Sequence, residues 1–255
     1  MTVTSVGFAP VKGTRHTSYD EVTLAHGGPV GDRGLCFVDV ARRRVLRTVQ
    51  NPSLVALAAR RDGEELAITL PDGSTVRGVP RATGEAITCE YWGRPAELDL
   101  LDGPWADAVS AHLGAPVRLA AARPGAVVYG APVSLVTTAS LRDLAERTGR
   151  PALPDEAARF RPSMVVDAGD EAYVEETWLG REVRVGRAVL RVNIAIPRCA
   201  VIDLDPRTGE RGSGVLKALA GRGVDDHGDP LFGVDAHVAT PGVVRPGDPV
   251  EVLGS

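Results

Sequence analysis

The sequence predicts a β-rich α+β fold: a β-barrel-like N-terminal domain over residues 1–120, packed on a second β-barrel domain over residues 121–255, with a few peripheral helices. Three observations predict it. Aromatic residues make up only 4% of the 255 residues, so the core must be built from Val, Leu, Ile and Ala. The chain also carries 29 glycines and 19 prolines, the residues that turn a chain between short strands. Its apolar residues come in short runs broken by turn residues, not in long helical stripes. The length suffices to bury one large core or two modest ones.

In the first half, apolar runs at residues 2–8, 35–40, 54–60, 65–70, 86–91 and 96–101 predict strands. Asp62-Gly63 and Asp72-Gly73 mark hairpins, because glycine supplies the positive φ that tight turns need. Arg42-Arg43-Arg44 falls in a turn and reads as a solvated hairpin tip. Between Pro104 and Gly114 the period changes: Trp105, Val109 and Leu113 recur at helical spacing, with proline suited to the first turn and glycine to the exit.

The second half begins near residue 120. A strand at residues 133–137 leads into a helix at 140–147, with Leu141, Leu144 and Ala145 on its apolar side and Gly149 as its stop. Strands follow at 164–167, 181–185, 188–193, 199–204, 232–239 and 250–253, with a helix at 215–220.

The formal net charge is −4, with both signs mixed along the chain, which gives no basis for a nucleic-acid or membrane-surface partner. A small-molecule substrate is expected instead. Cys36, Cys89 and Cys199 are far apart and odd in number, so no disulfide framework or zinc spacing is indicated, and a reducing, cytoplasmic location is expected. No charged leader and no run of about 18 apolar residues is present, which predicts a soluble chain. The five histidines lack metal-site spacing, and no phosphate loop stands between a strand and a helix.

Chemistry is concentrated at Cys199, in Ile196-Pro197-Arg198-Cys199 ahead of Asp205-Pro206-Arg207-Thr208-Gly209. A thiol beside a cation can ligate a soft metal or attack an electrophile. Lys12, Arg33 and Arg161 each lie in a loop next to a strand, where ammonium and guanidinium groups can converge on phosphate or carboxylate oxygens.

Taken together, these segments resemble the two-part MOSC proteins, the family named after the C-terminal domain of molybdenum cofactor sulfurase, along the whole chain. Phe8-Ala9-Pro10-Val11-Lys12-Gly13 is similar to the family's Tyr-Pro-Val-Lys-Ser opening, and Gly31-Asp32-Arg33 to its Gly-x-Arg-Asp-Arg loop. Arg159-Phe160-Arg161-Pro162-Ser163 and Arg198-Cys199 with Asp205-Pro206-Arg207-Thr208-Gly209 resemble its Arg-Phe-Arg-Pro-Asn and Arg-Cys…Asp-Pro-x-Thr-Gly elements. The resemblance implies a molybdenum cofactor (molybdopterin) in a cleft between the domains. Cys199 would be the metal ligand, and Lys12, Arg33, Arg161 and Ser163 would hold the pterin. It further implies reduction of N-hydroxylated substrates, as in the family's amidoxime-reducing enzymes. No cluster-binding cysteines are present, so a separate reductase or ferredoxin is the expected electron donor.

The sequence departs from the family pattern at Val49, Gly130, Ser163, Ile202 and Asp203. On strand alternation, Cys199, Val201 and Asp203 share a face, which would put Asp203 beside the thiol as a base. Two alternatives therefore stay open: a cofactor-free enzyme using Cys199 and Asp203 on a small acidic metabolite, and a carrier of sulfur or of the cofactor.

Overall fold

The computed structural model describes residues 1–254. Its first strands are β1 (Thr2–Phe8), β2 (Thr17–Tyr19), β3 (Val22–Ala25), β4 (Gly28–Pro29), β5 (Leu35–Asp39) and β6 (Arg44–Val45). Next come β7 (Ala58–Asp62), β8 (Glu65–Thr69), β9 (Thr75–Gly78), β10 (Arg81–Tyr91), β11 (Arg94–Asp102), helix α1 (Trp105–Leu113) and β12 (Arg118–Ala122). The rest comprises β13 (Val133–Thr137), α2 (Thr138–Thr148), β14 (Met164–Asp167), β15 (Glu182–Val185), β16 (Ala188–Pro197), α3 (Val215–Ala220), β17 (Leu231–Thr240), β18 (Gly242–Val244) and β19 (Val250–Val252). The fold is β-rich, as the composition predicts.

Period-two alternation builds a closed barrel from β10-β11-β12-β5-β6. Ile87, Cys89 and Tyr91 of β10 and Ala96, Leu98 and Leu100 of β11 point inward. The opposite face of the wall, with Phe37 and Leu119, packs on the β7-β8-β9 sheet and on α1. Trp105 anchors α1 there, fully buried, its indole N–H donating to Leu66 O at 3.2 Å. Gly114, at φ 68°, ends the helix.

An eight-stranded sheet, β19-β15-β16-β17-β13-β14-β1-β2, dominates the second half. A smaller sheet, β18-β3-β4, contributes Val22, Leu24 and Val244 to the same apolar core as Val133, Leu190 and Val234. β1 pairs with β14, and β3 with β18, so hydrogen bonding does not divide at residue 120: residues 2–29 join the C-terminal strands. The chain crosses to the barrel just after β1, where Val11 bridges Leu35 and Lys12 N donates to Leu35 O at 2.7 Å. Helices α2 and α3 pack with Phe160 and Phe232 in a further cluster on the sheet.

Two expected strands differ. Residues 52–56 form a 3-10 turn that begins at Pro52, whose fixed φ suits a helical start, and the strand begins only at Ala58. The run 199–204 is also not a strand: Ala200–Asp203 is a 3-10 turn. Its carbonyls have another partner, because Arg159 Nη1 binds Ile202 O at 2.9 Å and Leu204 O at 2.6 Å.

Candidate functional site

Lys12, Arg33 and Arg161 come together at the crossing between the sheet and the barrel. Arg33 and Arg161 both hold left-handed backbone, with φ of 48° and 57°. Non-glycine residues rarely adopt it, and such strain gathers at functional sites. Arg33 is fixed by its amide on Ala9 O at 2.8 Å and by its guanidinium on Asp32. Arg161 donates from Nη1 to Thr14 O at 2.7 Å.

The three cations feel one another. Burial first, then Arg33 and Arg161, bring the Lys12 ammonium down from 10.5 to about 7, against the opposing pull of Asp32. Burial and then Arg33 lower Arg161 to about 10. His16 lies alongside: burial, then Arg161, depress it to about 4, so the imidazole is neutral. Its Nε2 is 2.9 Å from Pro162 O and must donate, which leaves Nδ1 as a buried acceptor without a partner.

Ser163 is 4% exposed and forms a reciprocal pair with Ser134: its amide donates to Ser134 Oγ, and Ser134 N donates to Ser163 Oγ, both at 3.1 Å. Ser134 Oγ also donates to Arg161 O at 3.3 Å. Ser163 therefore sets the backbone from which Arg161 projects.

Cys199 is exposed and stands at the N-terminal end of the 3-10 turn, whereas Cys36 and Cys89 are buried in the barrel. Arg198 before it is buried, with Nε on Phe232 O at 2.8 Å and Nη1 on Phe160 O at 2.9 Å. Its Nη2 has no partner. Burial lowers Arg198 to about 10, with Cys199 and Asp235 opposing. A cavity of about 10 Å³ is lined by His16 and Arg161 together with Val201 and Leu204, which follow Cys199 in the chain.

Asp203 does not fit the strand-based expectation. With the run wound into a 3-10 turn, its Oδ1 accepts from Ser213 Oγ at 2.8 Å and from Leu216 N at 2.9 Å, at the start of α3. Its place is that of a helix anchor. Gly130, one of the departures from the family pattern, has φ 78° and lies against the Asp235 carboxylate, which accepts from Ala131 N at 2.8 Å. At Val49, the carbonyl accepts from Arg211 Nη2 at 3.1 Å, while Arg47 stacks 4.5 Å over the half-exposed Trp92 ring.

Residue-by-residue reading did not assign roles to Arg159, Arg198, His16 or Tyr91. The two arginines lie inside the quoted motifs, so their signal was present. Tyr91, a scarce aromatic at a strand end, gave none beyond its inward place in the alternation.

The scaffold is strand-rich and carries a buried cluster of cations and an exposed cysteine. A model of the MOSC domain matches residues 109–251, and the chain belongs to the MOSC domain family. It is 33% identical over 131 residues to mitochondrial amidoxime-reducing component 1 of Mus musculus, a match covering 48% of this chain and 37% of that protein. Mitochondrial amidoxime reducing component 2 of Rattus norvegicus is 33% identical over 127 residues, covering 47% and 36%. The matches thus span little more than a third of the length of these relatives. Among solved structures, the YUAD protein from Bacillus subtilis is similar over 98% of this chain and 94% of its own, with 13% identity and a TM-score of 0.48. YiiM from Geobacillus stearothermophilus covers 48% and 54%, with 19% identity and a TM-score of 0.36. Among the described residues, no helix is long and apolar enough to cross a membrane.

Proposed function

We propose that the chain is a molybdenum-cofactor oxidoreductase that reduces small N-hydroxylated compounds, with electrons supplied by a separate reductase or ferredoxin. The observation that carries this reading is the convergence of Lys12, Arg33 and Arg161, the last of which shares a small cavity with the turn that follows Cys199. The donor chemistry fits the group. Burial and neighbouring cations that depress the Lys12 and Arg161 pKa values are offset by an anion such as a pterin phosphate, and an exposed thiol suits a soft metal.

Lys12, Arg33 and Arg161 would hold the phosphate, Ser163 and Ser134 would keep Arg161 in place, and Cys199 would be the protein's ligand to the metal. When bound, the cofactor supplies the two-electron exchange that removes the oxygen from an N–O bond. The chain's own residues bind and orient. Arg198 fixes the backbone carrying the thiol and places a cation next to it, and neutral His16 offers an acceptor at Nδ1 beside Arg161. Asp203 is engaged at α3, so no observation favours a cofactor-free reaction with that carboxylate as base.

The test is the molybdenum content and pterin fluorescence of protein made in a cofactor-producing host. Stoichiometric molybdenum that is lost in Cys199→Ala supports the reading. Metal-free protein that retains activity sinks it, and a persulfide on Cys199 by intact mass points to a sulfur carrier.

A further inference from the structure

Tyr91 ends β10 with its side chain fully buried, yet its hydroxyl has no hydrogen-bond partner. Buried hydroxyls nearly always have one. The side chains that bear on Tyr91 are donors. Lys12 Nζ lies 5.2 Å from the ring centroid, and the Arg94 guanidinium 5.4 Å. Arg33, Arg94 and Arg47 bear on the hydroxyl electrostatically, and so does the Trp92 indole N–H, without closing a hydrogen bond in good geometry. Lysine, arginine and tryptophan side chains donate and do not accept. Asp32, the carboxylate of the cationic cluster, accepts from Arg33 and from the Ala9 amide. None of the lysine, arginine and tryptophan side chains can accept the phenolic hydrogen, whereas an incoming oxyanion would.

We propose that Tyr91 is a ligand-holding residue contributed by the barrel: its hydroxyl donates to a phosphate or phosphate monoester that Lys12, Arg33 and Arg161 hold by charge. Three cations against the one carboxylate of Asp32 leave two positive charges when Lys12 is protonated, which matches a phosphate dianion better than a carboxylate. The inference rests on reading the cationic cluster as an anion site, and it is independent of any metal. It gives the barrel a part in binding and explains why a core tyrosine keeps a hydroxyl that the free protein does not satisfy.

Tyr91→Phe removes that one oxygen and leaves the ring in place. With inorganic phosphate titrated calorimetrically into the full chain, the variant should bind roughly tenfold more weakly, the effect of one hydrogen bond to a charged group. In the same variant the ligand-free melting temperature should hold or rise, because an unsatisfied buried group has been removed. A hydroxyl with a merely structural role gives the reverse pair, a lower melting temperature with unchanged phosphate affinity. Equal affinity in both proteins, or no phosphate binding by the unsubstituted chain, overturns the proposal. Molybdenum-free protein that still binds phosphate through Tyr91 leaves it standing while the oxidoreductase reading fails.

Discussion

Arg198 donates a 2.9 Å hydrogen bond to the carbonyl of Phe160, and the segment of Phe160 answers through Arg159, which binds the carbonyls of Ile202 and Leu204. Two buried arginines thus bind the stretch carrying Arg161 to the stretch carrying Cys199. Arg159 serves a stretch that lacks strand pairing, and Arg198 also binds the Phe232 carbonyl near the start of β17. The two motifs that the sequence brings forward separately are one mechanical unit in the fold.

Replacing Arg198 with methionine should be strongly destabilising. The substitution keeps much of the apolar stem beside Phe160 and Phe232 but removes the donors to Phe160 O and Phe232 O. Two charge-assisted bonds lost at buried carbonyls correspond to about 3 kcal/mol or more. Urea denaturation measures it, and a loss below about 1 kcal/mol would show that the clamp is dispensable.

Arg159→Gln should loosen the cysteine segment more than the rest of the chain. Ile202 and Leu204 lose their carbonyl partner, while the β13-β14 and β16-β17 pairings are untouched. Amide hydrogen exchange should speed up over residues 199–206 and stay near its original rate in the sheet. Uniform acceleration would mean that Arg159 supports global stability only.

The Asp-Pro-Arg-Thr-Gly turn makes a third prediction. Asp205 Oδ1 accepts from Arg207 N at 2.7 Å and Thr208 N at 3.1 Å, and Gly209, at φ 78°, lies so near Pro52 that an added Cβ would stand 2.7 Å from its carbonyl oxygen. The turn is thereby seated on the 3-10 turn at Pro52–Ala56 of the first half. Gly209→Ala meets both positive-φ strain and that contact, so it should cost about 2 kcal/mol or more by thermal or urea unfolding. An unchanged midpoint would show that the turn has another seat.

Much of this was legible in the sequence because short-range physics decides it. Alternation gave β10 and β11, and Gly114 and Gly149 gave the ends of α1 and α2. Lys12, Arg33 and Arg161 were legible as a set through resemblance. Their mutual strain and left-handed backbone were not, since those depend on the crossing from β1 into the barrel. Asp203 misled because alternation assumes a strand, and a partner distant in sequence, Arg159, decides the conformation of residues 199–204. Tyr91 was hidden for a similar reason: what makes it notable is a buried hydroxyl without a hydrogen-bond partner, and that is a property of the assembled fold.

Thiol chemistry should separate the three cysteines sharply. Cys199 is exposed, whereas Cys36 and Cys89 are buried and burial pushes the Cys36 thiol up to about 12. Native protein treated with iodoacetamide should gain one adduct per chain, at Cys199, and denatured protein three. Peptide mass spectrometry reads the sites, and early labelling at Cys36 or Cys89 would contradict the closed barrel.

Stability should rise with pH over two windows, and the sign follows from proton counting. Lys12 titrates near 7 when folded but near its ordinary 10.5 when unfolded, so between those values the unfolded chain holds more protons. Stability rises with pH wherever that is so, and the penalty of the buried ammonium is fully present below about pH 7. His16, near 4 when folded against 6.5 unfolded, has the same sign lower down: stability is lost as pH falls from 6.5 toward 4. Urea unfolding of the ligand-free chain should therefore show a gain between about pH 7 and 9, and Lys12→Met should abolish that gain while leaving the acid-side loss in place. A bound phosphate favours the charged ammonium and raises the Lys12 pKa, so saturating phosphate should flatten the upper window in the parent chain and have little effect on it in Lys12→Met. A parent profile that is flat above pH 7 without phosphate would show that Lys12 is not held by burial and by Arg33 and Arg161 as the structure places it.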